Sequence, residues 1–271
     1  MTDRGSVHRP ARRLTVAGGE ILDEIVAEEV AVALVYNGIS HAVMMATPAD
    51  LEDFARGFTL TERIVEKPSE IFDIEVEEGE RGIEVNLEIA APRMQSLQER
   101  RRSLAGRTGC GLCGVDSLEA AMRPVAVSVS GSRVARAAIE RAMTALPARQ
   151  RINKLNGATH AAGWADAEGS LIAVREDVGR HNALDKLAGA LALMDKNAPG
   201  SVAPGGFVVV TSRCSYEMVH KAAAMGAVAI AAVSAPTSLA IEVARQSGIA
   251  LAAFVRDGRL TVYAHPERVT P

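Results

Sequence analysis

The run Gly109-Cys110-Gly111-Leu112-Cys113-Gly114 gathers two of the chain's three cysteines and three glycines into six residues. Thiols two residues apart are close enough to share a metal ion, to close a strained disulfide or to hand a sulfur atom from one to the other. Glycine on each flank keeps the backbone adaptable and the sulfurs uncrowded. Asp116-Ser117-Leu118-Glu119 has capping-box spacing, which predicts a helix from Ser117 whose positive end faces the loop and favours thiolate. A lone C-x-x-C is also half of a structural zinc site, with Cys214 and His160 as further ligands. The glycine packing favours chemistry, with no structural metal.

Three later stretches join strand-like runs to helix-like runs: Glu176-Asp177-Val178-Gly179-Arg180-His181, Thr211-Ser212-Arg213-Cys214-Ser215 and Ser234-Ala235-Pro236-Thr237-Ser238. Hydroxyls and arginines at helix starts either bind phosphate or simply cap the helix. Convergence of the three turns would make an anion pocket from Thr211, Ser212, Arg213, Ser234, Thr237 and Ser238. His181 and Asp185, four residues apart, share a helical face and would form an acid/base or orienting pair. Near the end, Phe254-Val255-Arg256-Asp257-Gly258-Arg259 reads as a tight Asp-Gly hairpin. Its two guanidiniums, beside an aromatic face, would clamp a pyrophosphate, although surface arginines near turns are commonplace.

These groups need a scaffold, and 271 residues at 48% hydrophobic suffice for one. Aromatics are only 3%, so alanine and valine must fill the core. A net charge of −3 and a pI near 6.1 argue against a general nucleic-acid binder. No charge-free apolar run approaches the ~20 residues of a membrane span. An odd, small cysteine count suits a reduced, cytoplasmic protein. Arg12-Arg13 is followed by Gly18, Gly19, Glu20, Asp23 and Glu24 instead of an apolar segment, so it is not an export signal.

In chain order, residues 1–20 read as a mobile tail. Residues 21–105 read as an α+β domain with a hairpin at Asn37-Gly38 whose strands are covered on both faces. It continues with a helix capped by Thr47 with Pro48 at its first position, and a second hairpin across Gly79 to Gly82 with one acidic, wet face. A helix over Pro92 to Leu104, ending at Gly106, delivers the chain to a cysteine loop and connecting helices over 106–155. From 156 to 271, apolar strands without alternation flank helices at Arg180 to Lys196, Ser215 to Met225 and Pro236 to Ser247. That is a layered α/β domain with a partly parallel sheet, whose ligands belong at strand carboxyl ends.

The motifs G-C-G-L-C-G, N-G-A-T-H-A-A, E-D-V-G-R-H-N-A-L-D-K, T-S-R-C-S-Y-E-M-V-H-K-A, S-A-P-T-S-L-A-I-E-V-A and V-Y-A-H-P-E-R, in this order, resemble the formate dehydrogenase accessory sulfurtransferase family, FdhD. The amino-terminal V-Y-N-G-I-S-H-A-V-M-M-A-T-P-A-D also fits, so the resemblance spans nearly the whole chain. It implies a sulfurtransferase that carries sulfane sulfur from a cysteine desulfurase to bis-molybdopterin guanine dinucleotide, with molybdenum or tungsten, destined for formate dehydrogenase. Cys110 would carry the persulfide and Cys113 assist, and the arginine hairpin would hold the guanine dinucleotide. It implies homodimers and a cytidine-deaminase-like three-layer second domain. The zinc deaminase signature is missing, since Ala162 stands two residues past His160 where that signature has glutamate. A C-x-x-C thiol-disulfide oxidoreductase and a zinc-stabilised nucleotide-binding protein are the competing readings.

Overall fold

The computed structural model describes residues 4–16, 18–105, 132–194 and 205–271. Cys110, Cys113 and the helix expected from Ser117 lie outside the described residues.

Strand β1 (Ser6–Thr15) pairs antiparallel with β2 (Gly18–Ala27), so most of the expected tail is a β-ribbon. Its signal is cross-strand charge instead of apolar period. Arg13 reaches Glu20 at 3.2 Å and Glu24 at 2.9 Å, and His8 Nδ1 lies 2.7 Å from Asp23.

β3 (Val30–Tyr36) and β4 (Ile39–Ala46) turn at Asn37-Gly38, both at positive φ, as that dipeptide predicts. β5 (Ile71–Gly79) and β6 (Gly82–Ile89) form the second hairpin, and the sheet runs β4-β3-β6-β5 with β3 and β6 parallel. Helices α1 (Leu51–Thr61) and α2 (Ala91–Ala105) bury its inner face, where Leu34, Phe54, Val85, Leu87 and Met94 form one core. The outer face is open: Val43 is 56% and Met45 52% exposed, so β3 and β4 are not covered on both faces.

Helix α1 starts behind Asp50, in the left-handed region at φ 53°, and not at Thr47 and Pro48. Thr47 is engaged elsewhere: its N–H donates to Asp177 Oδ2 at 3.0 Å and its hydroxyl accepts from the Val178 N–H at 3.1 Å.

The second domain contains β7 (Val134–Ala135), α3 (Arg136–Arg149), α4 (Arg151–Asn156), β8 (His160–Ala165), β9 (Leu171–Asp177) and α5 (Arg180–Ala192). It continues with β10 (Phe207–Val210), α6 (Tyr216–Ala224), β11 (Ala229–Ala232), α7 (Ser238–Ser247), β12 (Ala250–Arg256), β13 (Arg259–Ala264) and β14 (Val269–Thr270). Its main sheet runs β13-β12-β11-β10-β8-β9, with β10, β11 and β12 parallel and the others antiparallel. Leu184, Leu187, Met218 and Val243 of α5, α6 and α7 pack on one face. Ile139, Ala142 and Leu146 of α3 pack on the other, giving three layers. The segment expected as a connector before residue 156 therefore supplies a layer of this domain.

The two domains meet where α1 crosses α5. A Cβ added to Gly57 would lie 1.7 Å from the Asp185 carbonyl oxygen, and one on Gly189 would lie 1.9 Å from that of Asp53. The helices touch backbone to backbone, which only glycine permits.

Candidate functional site

The carboxyl ends of β9, β10, β11 and β12 and the start of β8 share one edge of the six-stranded sheet. Backbone hydrogen bonds stitch the turns above it together. Cys214 N–H donates to Ala235 O at 3.1 Å, Thr237 N–H to Cys214 O at 3.0 Å, and Phe254 N–H to Ser234 O at 3.4 Å. The second and third of the turns predicted from sequence are thus bonded to each other, and the first meets the second where His181 lies against Ser215.

Several of their hydroxyls are already committed. Thr211 Oγ1 accepts from the Ala161 N–H at 2.9 Å, Ser212 donates to Arg213 O at 2.9 Å, and Thr237 caps α7 by accepting from the Ala240 N–H at 3.2 Å. Ser234 is half-buried and Ser238 is exposed at the start of α7. Arg213, Arg256 and Arg259 are exposed, and none forms an ion pair among the described residues.

The arginine hairpin forms as the Asp-Gly pair predicts, with Arg256 opposite Arg259 and positive φ at Asp257 and Gly258. Arg136 donates to Gly258 O at 2.7 Å and holds the tip. Within β12 the register slips between Ala253 and Arg256, and Phe254 sits at φ 53°. A bulky residue in the left-handed region is an outlier, and bulges commonly re-aim a side chain beside a site. Here Phe254 is turned out to 36% exposure while Val255 stays buried. Phe254, Arg256, Arg259 and Thr261 line an open cleft of about 260 Å³. An aromatic face flanked by two uncommitted guanidiniums suits a planar ring carrying phosphates.

At the other end of the edge, Asp177 organises the turn into α5. Its Oδ1 accepts from the Gly179 N–H at 2.7 Å and from Asn182 at 3.1 Å. Glu176 instead accepts from the N–H groups of Ile152 and Asn153 and from the Thr159 hydroxyl. These bonds leave Arg180, His181 and His160 at the edge. His181 Nε2 lies 3.2 Å from Ser215 Oγ and 2.9 Å from Glu217 Oε2. That hydrogen bond holds the Glu217 carboxyl below the ordinary range. Burial, reinforced by the Arg180 charge, lowers the pKa of His160.

His181 does not pair with Asp185. Asp185 is buried one turn deeper, where it accepts from Thr61 at 2.6 Å and from Lys221 at 2.9 Å. A shared helical face assumes an isolated helix, whereas α5 lies against α1 and α6, and each turn meets a different neighbour. Lys221 also reaches Glu62 at 2.6 Å. Burial opposes its charge, but the Asp185 and Glu62 carboxylates outweigh it and lift its pKa above the ordinary lysine range.

Cys214 is fully buried, and burial pushes its thiol up to about 12 against the opposing Arg180 charge. Among the described residues no group of three or more His, Cys, Asp or Glu is arranged to hold a metal. Among them also, no helix is long and apolar enough to cross a membrane.

In the sequence Asp177 stands out only as part of its turn, and Lys186, Glu217 and Lys221 do not stand out as partners. One signal was available for Lys186: the charged pair Asp185-Lys186 interrupts an otherwise apolar run from Ala183 to Leu191.

Residues 27–270 match the model of the FdhD/NarQ family. The chain is 59% identical over 254 residues to the sulfur carrier protein FdhD of Cupriavidus necator, covering 93% of this chain and 86% of that one. It is 49% identical over 265 residues to the protein of the same name from Xanthomonas campestris pv. campestris, covering 98% and 92%. A crystal structure of a putative formate dehydrogenase accessory protein from Desulfotalea psychrophila superposes with a TM-score of 0.72 at 25% identity, over 98% of this chain and 99% of that one. The family match runs from the end of β2 through β14 and takes in both domains and the whole edge just described, so this chain belongs to the FdhD/NarQ family.

Proposed function

We propose that this protein is a sulfur carrier serving formate dehydrogenase, which moves sulfane sulfur from a cysteine desulfurase to bis-molybdopterin guanine dinucleotide as bound substrate. The observation that supports it best is the shared sheet edge. Phe254 and two uncommitted arginines stand at one end of it, and Arg180 and His181 at the other. The relatives' common name, sulfur carrier protein, supports the same reading.

In the first step the Cys110 thiolate attacks the terminal sulfur of the donor's persulfide. A new S–S bond forms at Cys110 as the donor's breaks, and the donor cysteine leaves as thiolate. In delivery the Cys113 thiolate attacks the inner sulfur of the Cys110 persulfide. The Cys110–Cys113 disulfide forms and the outer sulfur leaves as sulfide, reduced by the two electrons of the thiols. A cellular dithiol then resets the pair. The cleft at Phe254 holds the guanine end of the substrate, with Arg256 and Arg259 on its phosphates and the turns at Thr211, Ser212, Arg213, Ser234, Thr237 and Ser238 beside them.

Incubation with a cysteine desulfurase and cysteine tests the carrier role. Peptide mass spectrometry should find added sulfur on Cys110, released to cyanide. Cys110→Ala should abolish formate dehydrogenase maturation with the fold intact. Full maturation by that variant, or disulfide reduction with no cyanide-labile sulfur, would reject the carrier reading in favour of an oxidoreductase.

A further inference from the structure

The far end of the sheet edge carries positive groups without counterions. Arg180, the first residue of α5, forms no hydrogen bond or ion pair among the described residues, and its Nε is buried without a partner. His160, at the start of β8, forms no hydrogen bond among them either. The Arg180 charge acts on both His160 and Cys214, so the guanidinium lies between the start of β8 and the turn after β10. Arg213, in that turn, is exposed and unpaired as well.

The nearby carboxylates are committed elsewhere. Asp177 gives one oxygen to Lys186 and Thr47 and the other to Gly179 and Asn182. Glu217 is taken by His181, which also touches Ser215. A partly desolvated guanidinium with no carboxylate and no carbonyl costs stability, and buried polar groups are otherwise paired. An anion set against Arg180 removes that cost, with the His160 imidazole as a second donor.

Distance selects the anion. β8 and β9 stand three and four positions from β12 in the sheet, so at ~4.8 Å per strand this corner lies ~14–19 Å from the Phe254 cleft. In a guanine dinucleotide whose base occupies the cleft, ribose and phosphates fill the nearer part of that span, beside Ser234 and Arg213. The group that reaches the far end is the dithiolene, whose sulfurs are anionic and hold the metal. Resting on the carrier reading above, we infer that Arg180 and His160 bind this sulfur-ligated metal end of the substrate. Sulfur is then delivered at the α5 end of the edge, away from the arginine hairpin.

The test is calorimetric titration of the full chain with guanosine diphosphate and with tetrathiomolybdate, a sulfur-ligated metal anion. All titrations use Cys110→Ala/Cys113→Ala, so that neither thiol of the pair reacts with the probe. Both ligands should bind together. Arg180→Ala should weaken tetrathiomolybdate about tenfold or more, the worth of one charge-assisted hydrogen bond, and leave guanosine diphosphate within about twofold. Arg259→Ala should do the reverse. Because Arg180 has no partner in the fold, its replacement should not lower the melting temperature. Should Arg180→Ala melt lower, Arg180→Met keeps the aliphatic stem without the charge and should weaken the same probe. No binding of tetrathiomolybdate, binding unchanged in both Arg180 variants, or equal displacement by sulfate would overturn the inference. A second equivalent of guanosine diphosphate that is lost in Arg180→Ala would give the corner to a phosphate and overturn it too. Sulfur loading of wild-type Cys110 by a cysteine desulfurase is measured separately, and its absence would fault the carrier reading without touching either titration.

Discussion

Lys186 Nζ lies 2.7 Å from Asp177 Oδ2, with both side chains fully buried. The same ammonium donates to Thr47 O at 2.9 Å, and the same carboxylate oxygen accepts the Thr47 N–H at 3.0 Å. A closed ring of three residues thus ties the segment before α1 to the turn that presents Arg180 and His181. Two desolvated charges add little net stability over an apolar pair, but removing one strands the other. Lys186→Met should cost about 3–5 kcal/mol in urea unfolding. Lys186→Met with Asp177→Asn should cost clearly less than the sum of the two single changes, because the uncompensated charge is gone.

The crossing of α1 and α5 admits no side chain at its centre. Gly57→Ala forces a methyl onto the Asp185 carbonyl and cannot be relieved by a rotamer change. It should cost about 3 kcal/mol or more, the upper range for overpacking. Gly189→Ala should behave alike, and the double variant should be far from additive since both open the same contact. Thermal melts and limited proteolysis between the domains would read this out.

Stability should fall as the solution is acidified from about 6.5, the ordinary histidine value. Burial lowers the pKa of both His160 and His220 in the fold, so the folded state resists protonation there. Their contribution is present above about 6.5 and is lost as pH falls through the folded values. Glu217 is also lowered, through His181, so its contribution is lost further down, below the usual 4.5. Urea midpoints across this range should decline in two stages, and His160→Gln should flatten the first.

The cleft at Phe254 should prefer guanosine diphosphate over adenosine diphosphate. Arg259→Ala should weaken that binding by about 1.5–3 kcal/mol if its charge-assisted bonds reach phosphate. Phe254→Ala should weaken it too, with loss of the stacking face. Calorimetric titration of both nucleotides, with the salt concentration varied, checks this. Equal, weak, salt-insensitive binding would return these arginines to the solvated surface.

The sequence alone determined whatever depends on neighbours in the chain. Asn37-Gly38 and Asp257-Gly258 specify their turns by tolerating positive φ, and alternation at Ile74 to Glu77 and Ile83 to Glu88 specifies a sheet with one wet face. Uninterrupted apolar runs at Phe207, Ala229 and Ala250 specify a covered, parallel core, and the ordered motifs specify the family. Only the tertiary structure decided where charges and caps find partners. Thr47 read as a helix cap, yet Asp177, 130 positions away, claims its backbone. His181 and Asp185 read as a pair, yet packing of α5 against α1 and α6 gives one to Glu217 and the other to Lys221. Ser6 to Thr15 read as a tail because its strand is held by ion pairs across a turn. The reason is common to all three: local propensity reaches a few residues, whereas a buried polar group takes whichever partner the fold brings within about 3 Å.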